Sequence, residues 1–178
     1  MIEIQKLQRK NTKEFKRLYY SSFPDSERKP YLLMKYWQYQ KKMELYEISD
    51  NGKFCGLFVT VVYKDIILID YLAVLPALRG KGIGTDALEY ARKMFDEKRI
   101  ILEIETTKKP CADLKNRIKR KSFYTKNGLL ECDFDVDLFG VEMEVLRFNE
   151  NVSFEEYLEM YRHMAGRLIK VRVSKVNQ

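Results

Sequence analysis

Leu72-Ala73-Val74-Leu75-Pro76-Ala77-Leu78-Arg79-Gly80-Lys81-Gly82-Ile83-Gly84 is the stretch on which the fold turns. Its first three residues close the run Ile66–Val74, nearly all apolar apart from Asp70, which predicts a strand buried on both faces. Pro76 cannot extend a ladder, so the strand ends before it. Three glycines then alternate with Lys81 and Ile83. Glycine permits positive φ and removes the side chain that would block a ligand, so successive N–H groups can converge on one anion. Ile83, Ala87, Leu88, Ala91, Met94 and Phe95 recur at helical spacing. A helix over 83–97 therefore leaves the turn, and its N-terminal N–H groups and dipole add to the attraction for an anion. Arg79 and Lys81 flank the turn with full charges, which suits a pyrophosphate. The Rossmann spacing fails, because Thr85 stands where its third glycine belongs, and the P-loop ending of Gly-Lys-Ser/Thr is missing. Taken alone, the glycines also fit a strand-to-helix turn that binds nothing.

On the N-terminal side, residues 1–7 read as a first strand, and Asn11 with Glu14 predicts a capped helix carrying Phe15, Leu18 and Tyr19. Pro24 interrupts it. A second amphipathic helix starts near Pro30 with Leu33, Met34, Tyr36 and Trp37. Glu44–Ser49 and Lys53–Tyr63 read as strands joined at Asp50-Asn51-Gly52, a hairpin signal, and Lys64-Asp65 turns into the run that ends at Val74. On the C-terminal side, Arg99–Glu105 is a strand, and Asn116–Lys126 is a helix stopped by Asn127-Gly128. Strands over about 129–138 and 141–148 turn at Gly140. Ser153 and Glu156 predict a capping box for a last helix with Phe154, Tyr157, Leu158, Tyr161 and Met164 inward. Leu168–Val173 reads as a short strand or a frayed end. The fold class is α/β: a mixed, mostly antiparallel twisted sheet flanked by helices, with a parallel pair where helix 83–97 joins its two strands.

The length of 178 residues suits a single domain. No stretch approaches the ~20 apolar residues of a membrane span, and the charged N-terminus is not a secretory signal. Cys55, Cys111 and Cys132 form no CxxC pair and leave one odd thiol under any pairing. These features predict a reduced, cytoplasmic setting without a membrane partner. The 33 basic against 26 acidic residues give a net charge of +7, which favours an anionic partner. His163 is the only histidine, so neither a Ser-His-Asp triad nor a histidine-rich metal site has a supporting motif, and no metal is expected.

Residues 72–84 resemble motif A of the Gcn5-related N-acetyltransferases (GNAT), whose pattern of Arg or Gln, two residues, Gly, one residue, then Gly or Ala is met by Arg79, Gly82 and Gly84. Phe123-Tyr124-Thr125-Lys126-Asn127-Gly128-Leu129 is similar to the family's motif B, with Leu129 in place of the usual Phe. The element order over residues 1–148 also resembles the GNAT fold, and 149–178 is a helical extension outside it.

The resemblance implies acetyl-CoA as donor and a primary amine of a small molecule or peptide as acceptor. It implies binding by Leu72, Ala73, Val74, Arg79, Gly80, Lys81, Gly82, Ile83, Gly84 and Thr85, joined by Asn116, Tyr124 and Lys126. The Leu72 amide would polarise the thioester carbonyl, and Ala73 and Val74 would pair with the pantetheine arm like an added strand. Tyr124 would protonate the departing thiolate. Asp70, costly if unpaired within an apolar strand, is a candidate base; Glu105 and Glu27 are others. Asp70 could instead lie on the open side of its strand or pair with a basic residue. Lys115, Arg117, Lys119, Arg120 and Lys121 read as a solvated helix face or as partners of the coenzyme's phosphates. Asn116 sits one residue farther from the tyrosine than the family pattern has it. The alternative function is a non-catalytic GNAT-like module that senses acetyl-CoA or contacts nucleic acid through that basic helix, with nucleic acid the less favoured partner. A second copy of the chain, meeting through the C-terminal helix, could complete the site.

Overall fold

The computed structural model describes residues 2–166 and 170–176. Its elements follow the expected order: β1 (Ile2–Lys6), α1 (Thr12–Ser22), α2 (Tyr31–Tyr39), β2 (Met43–Asp50), β3 (Lys53–Tyr63), β4 (Ile66–Val74), α3 (Ile83–Met94), β5 (Arg99–Glu105), α4 (Leu114–Lys126), β6 (Leu130–Leu138), β7 (Val141–Arg147), α5 (Phe154–Ala165) and β8 (Val173–Lys175). The strands form one mixed sheet in the order β1-β2-β3-β4-β5-β7-β6-β8. The predicted strand at Leu168–Val173 falls partly outside the described residues, and β8 begins at its last position. Contacts gather the chain into two compact units: one runs up to Val62 and resumes over Ile69–Asp96; the other holds Tyr63–Leu68 and the chain from Glu97 onward.

In the first unit, β1, β2 and β3 pair antiparallel. The two-residue loop between β2 and β3 places Asn51 at φ 49° and Gly52 at φ 73°. Positive φ at both positions matches the twist of the flanking strands. Phe15, Leu18 and Tyr19 of α1 and Met34 and Trp37 of α2 are buried, as are Ile83, Ala87, Leu88 and Ala91 of α3. Each fully buried large apolar side chain contributes about 1.5–3 kcal/mol.

Three local expectations change here. Asn11 makes no cap; its amide donates instead to the buried Glu47 carboxylate at 2.9 Å, which also accepts from Gln5 and the Gln8 N–H. A buried carboxylate must find donors before a helix end can claim them. Tyr36 of α2 is exposed and Leu33 only half-buried. Helix α3 stops at Met94, because Phe95 leaves helical geometry.

In the second unit, Arg99 N–H donates to the Asp65 carbonyl at 2.8 Å. The adjoining strands β4 and β5 thus start side by side and run parallel. β7 pairs antiparallel with both β5 and β6, and β6 with β8. The Ser153–Glu156 capping box is present on both sides. Glu156 also pairs with Arg99 at 2.7 Å, and Arg99 with Asp65 at 2.7 Å. Helix α5 buries Tyr157, Met160, Tyr161 and Met164, while Phe154 and Leu158 are half-buried. The inward face therefore includes Met160 rather than Leu158. The Tyr157 and Tyr161 hydroxyls donate to Glu103 of β5, which fixes that face.

Candidate active site

The strand-to-turn junction lies within the first unit. Along the second half of β4, Tyr71 and Ala73 are buried while Asp70, Leu72 and Val74 alternate with them on a more open side. Gly56 of β3 lets the strand sit so close: a Cβ there would meet the Ala73 carbonyl oxygen at 2.5 Å. The Leu75 N–H then donates to the Cys55 carbonyl at 2.8 Å, and the chain leaves the sheet.

The turn that follows is open. Gly80 has φ 78° and Gly82 φ 86°, and no atom lies within 4 Å of a Cβ built at either. Backbone conformation, not crowding, demands these glycines. Gly82 is the N-cap of α3, and no side chain caps the helix. Its first N–H groups are therefore left for solvent or a ligand. Arg79 donates from Nε to the Val74 carbonyl at 3.1 Å, which turns its guanidinium back along the end of β4. Arg79, Lys81 and Thr85 are exposed, and Ile83 anchors the helix in the core. An open cleft of about 540 Å³ runs from Lys81 and Ile83 toward Asp50, Lys53 and Cys55. An uncapped helix start with two flanking cations can hold a multiply charged phosphate group.

The carboxylate in β4 is not solitary. Asp70, with 3% of its side chain exposed, accepts two hydrogen bonds from the Lys29 ammonium at 2.7 and 2.9 Å. The basic-partner alternative is the arrangement found. Next to it, the Tyr71 hydroxyl donates to the Glu27 carbonyl at 2.6 Å, and the Tyr19 hydroxyl donates to the Lys29 carbonyl while accepting from its N–H. Tyr71 also packs edge-on against Tyr19 and Phe23, with ring centroids 4.9 and 4.8 Å apart. Burial, reinforced by Tyr71, pushes the Tyr19 phenol up, so it stays protonated. Loop 23–30 is thus pinned to β4. Lys29 was not among the sequence candidates. Its signal was a carboxylate in an apolar strand, which needs a cation, and a loop offering Arg28-Lys29.

The second unit holds the other candidates. Tyr124 lies on α4, half-buried, with its ring 5.2 Å from that of Phe123. Burial raises its hydroxyl above the ordinary range against the pull of Arg120, so the phenol carries its proton at neutral pH. Glu105 is clamped: Arg117 reaches one oxygen at 2.5 Å and Arg120 the other at 2.6 Å. Lys121 reaches Glu144 and Glu131, each at 2.5 Å. Three of the five cations in the basic cluster are thus spent inside the unit, while Lys115 and Lys119 are exposed. Asn116 donates to Asp113, the N-cap residue of its helix, and Lys126 is exposed.

Burial raises the Cys55 and Cys132 thiols, Cys132 to about 11, so neither is a thiolate at neutral pH. Among the described residues no group of three or more His, Cys, Asp or Glu side chains could hold a metal, and no helix is long and apolar enough to cross a membrane.

Residues 41–128 match the family model of the acetyltransferase (GNAT) domain. No curated protein matches the chain. Solved structures do. A GNAT-family protein from Bacteroides thetaiotaomicron superposes with a TM-score of 0.72 at 19% identity, over 92% of this chain and 95% of that one. Arabidopsis thaliana Naa50, in complex with the bisubstrate analogue CoA-Ac-MVNAL, gives 0.62 at 19% identity over 84% and 99%. The ribosomal-protein-S18-alanine N-acetyltransferase of Escherichia coli gives 0.59 at 18% identity over 86% and 100%. At these identities the likeness is one of fold.

Proposed function

We propose, for a chain that belongs to the GNAT acetyltransferases, that it moves an acetyl group from acetyl-CoA to a primary amine of a small molecule or peptide. The observation that carries this reading is the open turn Arg79–Gly84: two glycines held at positive φ, an uncapped helix start and two exposed cations. Its chemistry matches the pyrophosphate of coenzyme A. The pantetheine arm would lie along Leu72, Ala73 and Val74, with Gly84 and Thr85 completing the first helical turn against the phosphates. The bisubstrate analogue bound by Naa50 and the acetyl-CoA bound by a GNAT acetyltransferase from Elizabethkingia anophelis support a donor of this kind.

In the proposed reaction the Leu72 N–H donates to the carbonyl oxygen as it gains charge. The neutral amine attacks the thioester carbon, a C–N bond forms, and the C–S bond breaks. The thiolate takes a proton from Tyr124, and the excess proton on nitrogen leaves through water, returning one to the phenolate. Motif B assigns Tyr124 this role, and its raised hydroxyl keeps the proton available until the thiolate appears. Asp70, two residues before Leu72 on the same strand, is a candidate for collecting the amine's proton; Glu105 and Glu27 are the others. Asp70 and Glu105 have their oxygens on cations, so either must release an N–H to accept a proton. Asn116 and Lys126 are assigned to the pantetheine and phosphates through motif B alone.

Free thiol release from acetyl-CoA across a panel of amines tests the function. Release that depends on an added amine is expected. Release only without acceptor, or none with any amine, refutes it. Tyr124→Phe should lower kcat by about 10²-fold or more with acetyl-CoA affinity unchanged; unaltered turnover removes Tyr124 from the mechanism. Asp70→Asn should lower kcat/KM by about 10²-fold or more, and an unchanged kcat/KM takes Asp70 out as the base.

A further inference from the structure

The chain's charge is unevenly spent. Between Arg9 and Lys42, ten Lys and Arg residues stand against three carboxylates, Glu14, Asp25 and Glu27. That segment is α1, α2 and the loops beside them, and it holds a net +7, the charge of the whole chain. The remaining residues balance at 23 of each sign. Arg9, Lys10, Lys13, Arg17, Lys35 and Lys41 are exposed, and among the described residues none of them reaches a carboxylate. The same segment carries the two most exposed large apolar side chains, Leu32 at 82% and Tyr39 at 86%, with Tyr36 at 43%. Positions 32, 36 and 39 share one face of α2, opposite the buried Met34 and Trp37. Lys35 borders that face and Lys41 follows its end. The helices meet at Tyr31, whose ring lies 6.3 Å from that of Phe15 and under the Lys16 ammonium at 4.4 Å.

An apolar, tyrosine-bearing stripe with a lysine rim has the anatomy of a protein interface: desolvated aromatic anchors within a charged margin. We infer that the α1–α2 face docks an acidic, partly apolar polypeptide. Charge complementarity fixes the sign of the partner. The stripe fixes its class. A phosphate backbone would use the lysines and leave Leu32 without a role, and a lipid surface needs a broader apolar face than one leucine and two tyrosines. Loop 23–30, pinned to β4 by Lys29 and Tyr71, joins the two helices, so a docked chain would run beside the strand that carries Leu72. The docking stands whether or not acetyl transfer occurs.

The test uses direct binding, without acetyl-CoA. A fluorescent 20-residue peptide alternating Glu or Asp with Leu and Phe is titrated by anisotropy, beside a Lys-rich peptide of equal length, a 20-nucleotide single-stranded RNA and phosphatidylserine vesicles. Preferential binding of the acidic peptide is expected, weakened at least tenfold between 50 and 300 mM salt. Lys13→Ala with Arg17→Ala and Lys41→Ala should weaken it about tenfold, and Leu32→Ser with Tyr39→Ser by a similar factor, with circular dichroism unchanged. Binding no tighter than that of the Lys-rich peptide overturns the inference. So does tighter binding of the RNA or the vesicles, or acidic-peptide affinity indifferent to the Leu32 and Tyr39 changes.

Discussion

Segments 9–42 and 114–126 are both strongly basic, and they use their charge in opposite ways. In α4 half of the cations turn inward: Arg117 and Arg120 hold Glu105, and Lys121 holds Glu144 and Glu131, while Lys115, Lys119 and Lys126 are exposed. In α1–α2 most cations face outward, and the Gly-rich turn resembles that segment, with Arg79 and Lys81 exposed. Composition cannot distinguish the two, because the carboxylates that neutralise α4 come from β5, β6 and β7. A basic helix is free to bind an anion only if the strands beneath it are not acidic. This difference weakens α4 as a nucleic-acid surface and moves the available charge to the other unit.

The largest expected effect breaks the inward side. Glu144 is fully buried. Burial pushes its carboxyl up, but Lys121 and Thr107 outweigh that and hold it below the usual range. Lys121→Ala leaves a buried charge with only the Thr107 donors, which costs about 3 kcal/mol. For a chain of this size that is a Tm lower by roughly 6–12 °C, read by calorimetry. A loss under 1 °C would mean that the α4 charges are not structural.

Arg79→Ala probes the outward side. Its charge meets no carboxylate among the described residues, so removing it should leave Tm within about 1 °C. Acetyl-CoA affinity should fall about tenfold, equivalent to ~1.4 kcal/mol, by titration calorimetry. Unchanged affinity would detach the turn from the donor.

Much of this was legible in the sequence. The Asn51-Gly52 hairpin, the capping box at Ser153 and the ends of β3, β4 and β5 follow from local chemistry, and the structure has them at the expected residues. The turn at Gly80–Gly84 was legible for the same reason: glycine spacing is a local signal. What was not legible depends on partners distant in the chain. Asn11 looked like a cap until Glu47, 36 residues on, claimed its amide. Asp70 could be read as a base or as half of an ion pair, but its cation, Lys29, stands 41 residues before it, and no local signal named it. Pairing across such separations is set by how loops fold back onto the sheet, which no short window of sequence contains.

Glu156→Gln sharpens the inward side through pH. Arg99, and after it the Ser153 N–H, pull the Glu156 carboxyl from the usual 4.5 down to about 2. A depressed folded-state pKa means the stabilisation is complete above the unfolded value and is lost as pH falls through the folded one. The native protein should therefore lose stability from about pH 4.5 to 2 partly through this group. The side chain is 41% exposed, so solvent screening reduces the contribution to about 1 kcal/mol. Glutamine can still complete the capping box but cannot pair with Arg99. The variant should be less stable by that amount at pH 7, and its stability curve should be flatter between pH 4.5 and 2. Parallel curves for the two proteins would show that the ion pair contributes nothing.

The smallest effect lies at the exposed end of α4. Lys126 sits in the last turn of the helix with no carboxylate partner among the described residues, so, like Lys115 and Lys119, it resembles the cations of α1–α2. Lys126→Ala should cost a few tenths of a kcal/mol through the helix dipole. If the side chain meets a coenzyme phosphate across solvent, acetyl-CoA affinity should fall about twofold, and the difference should disappear at high salt. A loss as large as that of Arg79→Ala would mean that α4 contributes free charge to the donor after all. The division between inward and outward basic segments would then fail at its C-terminal turn.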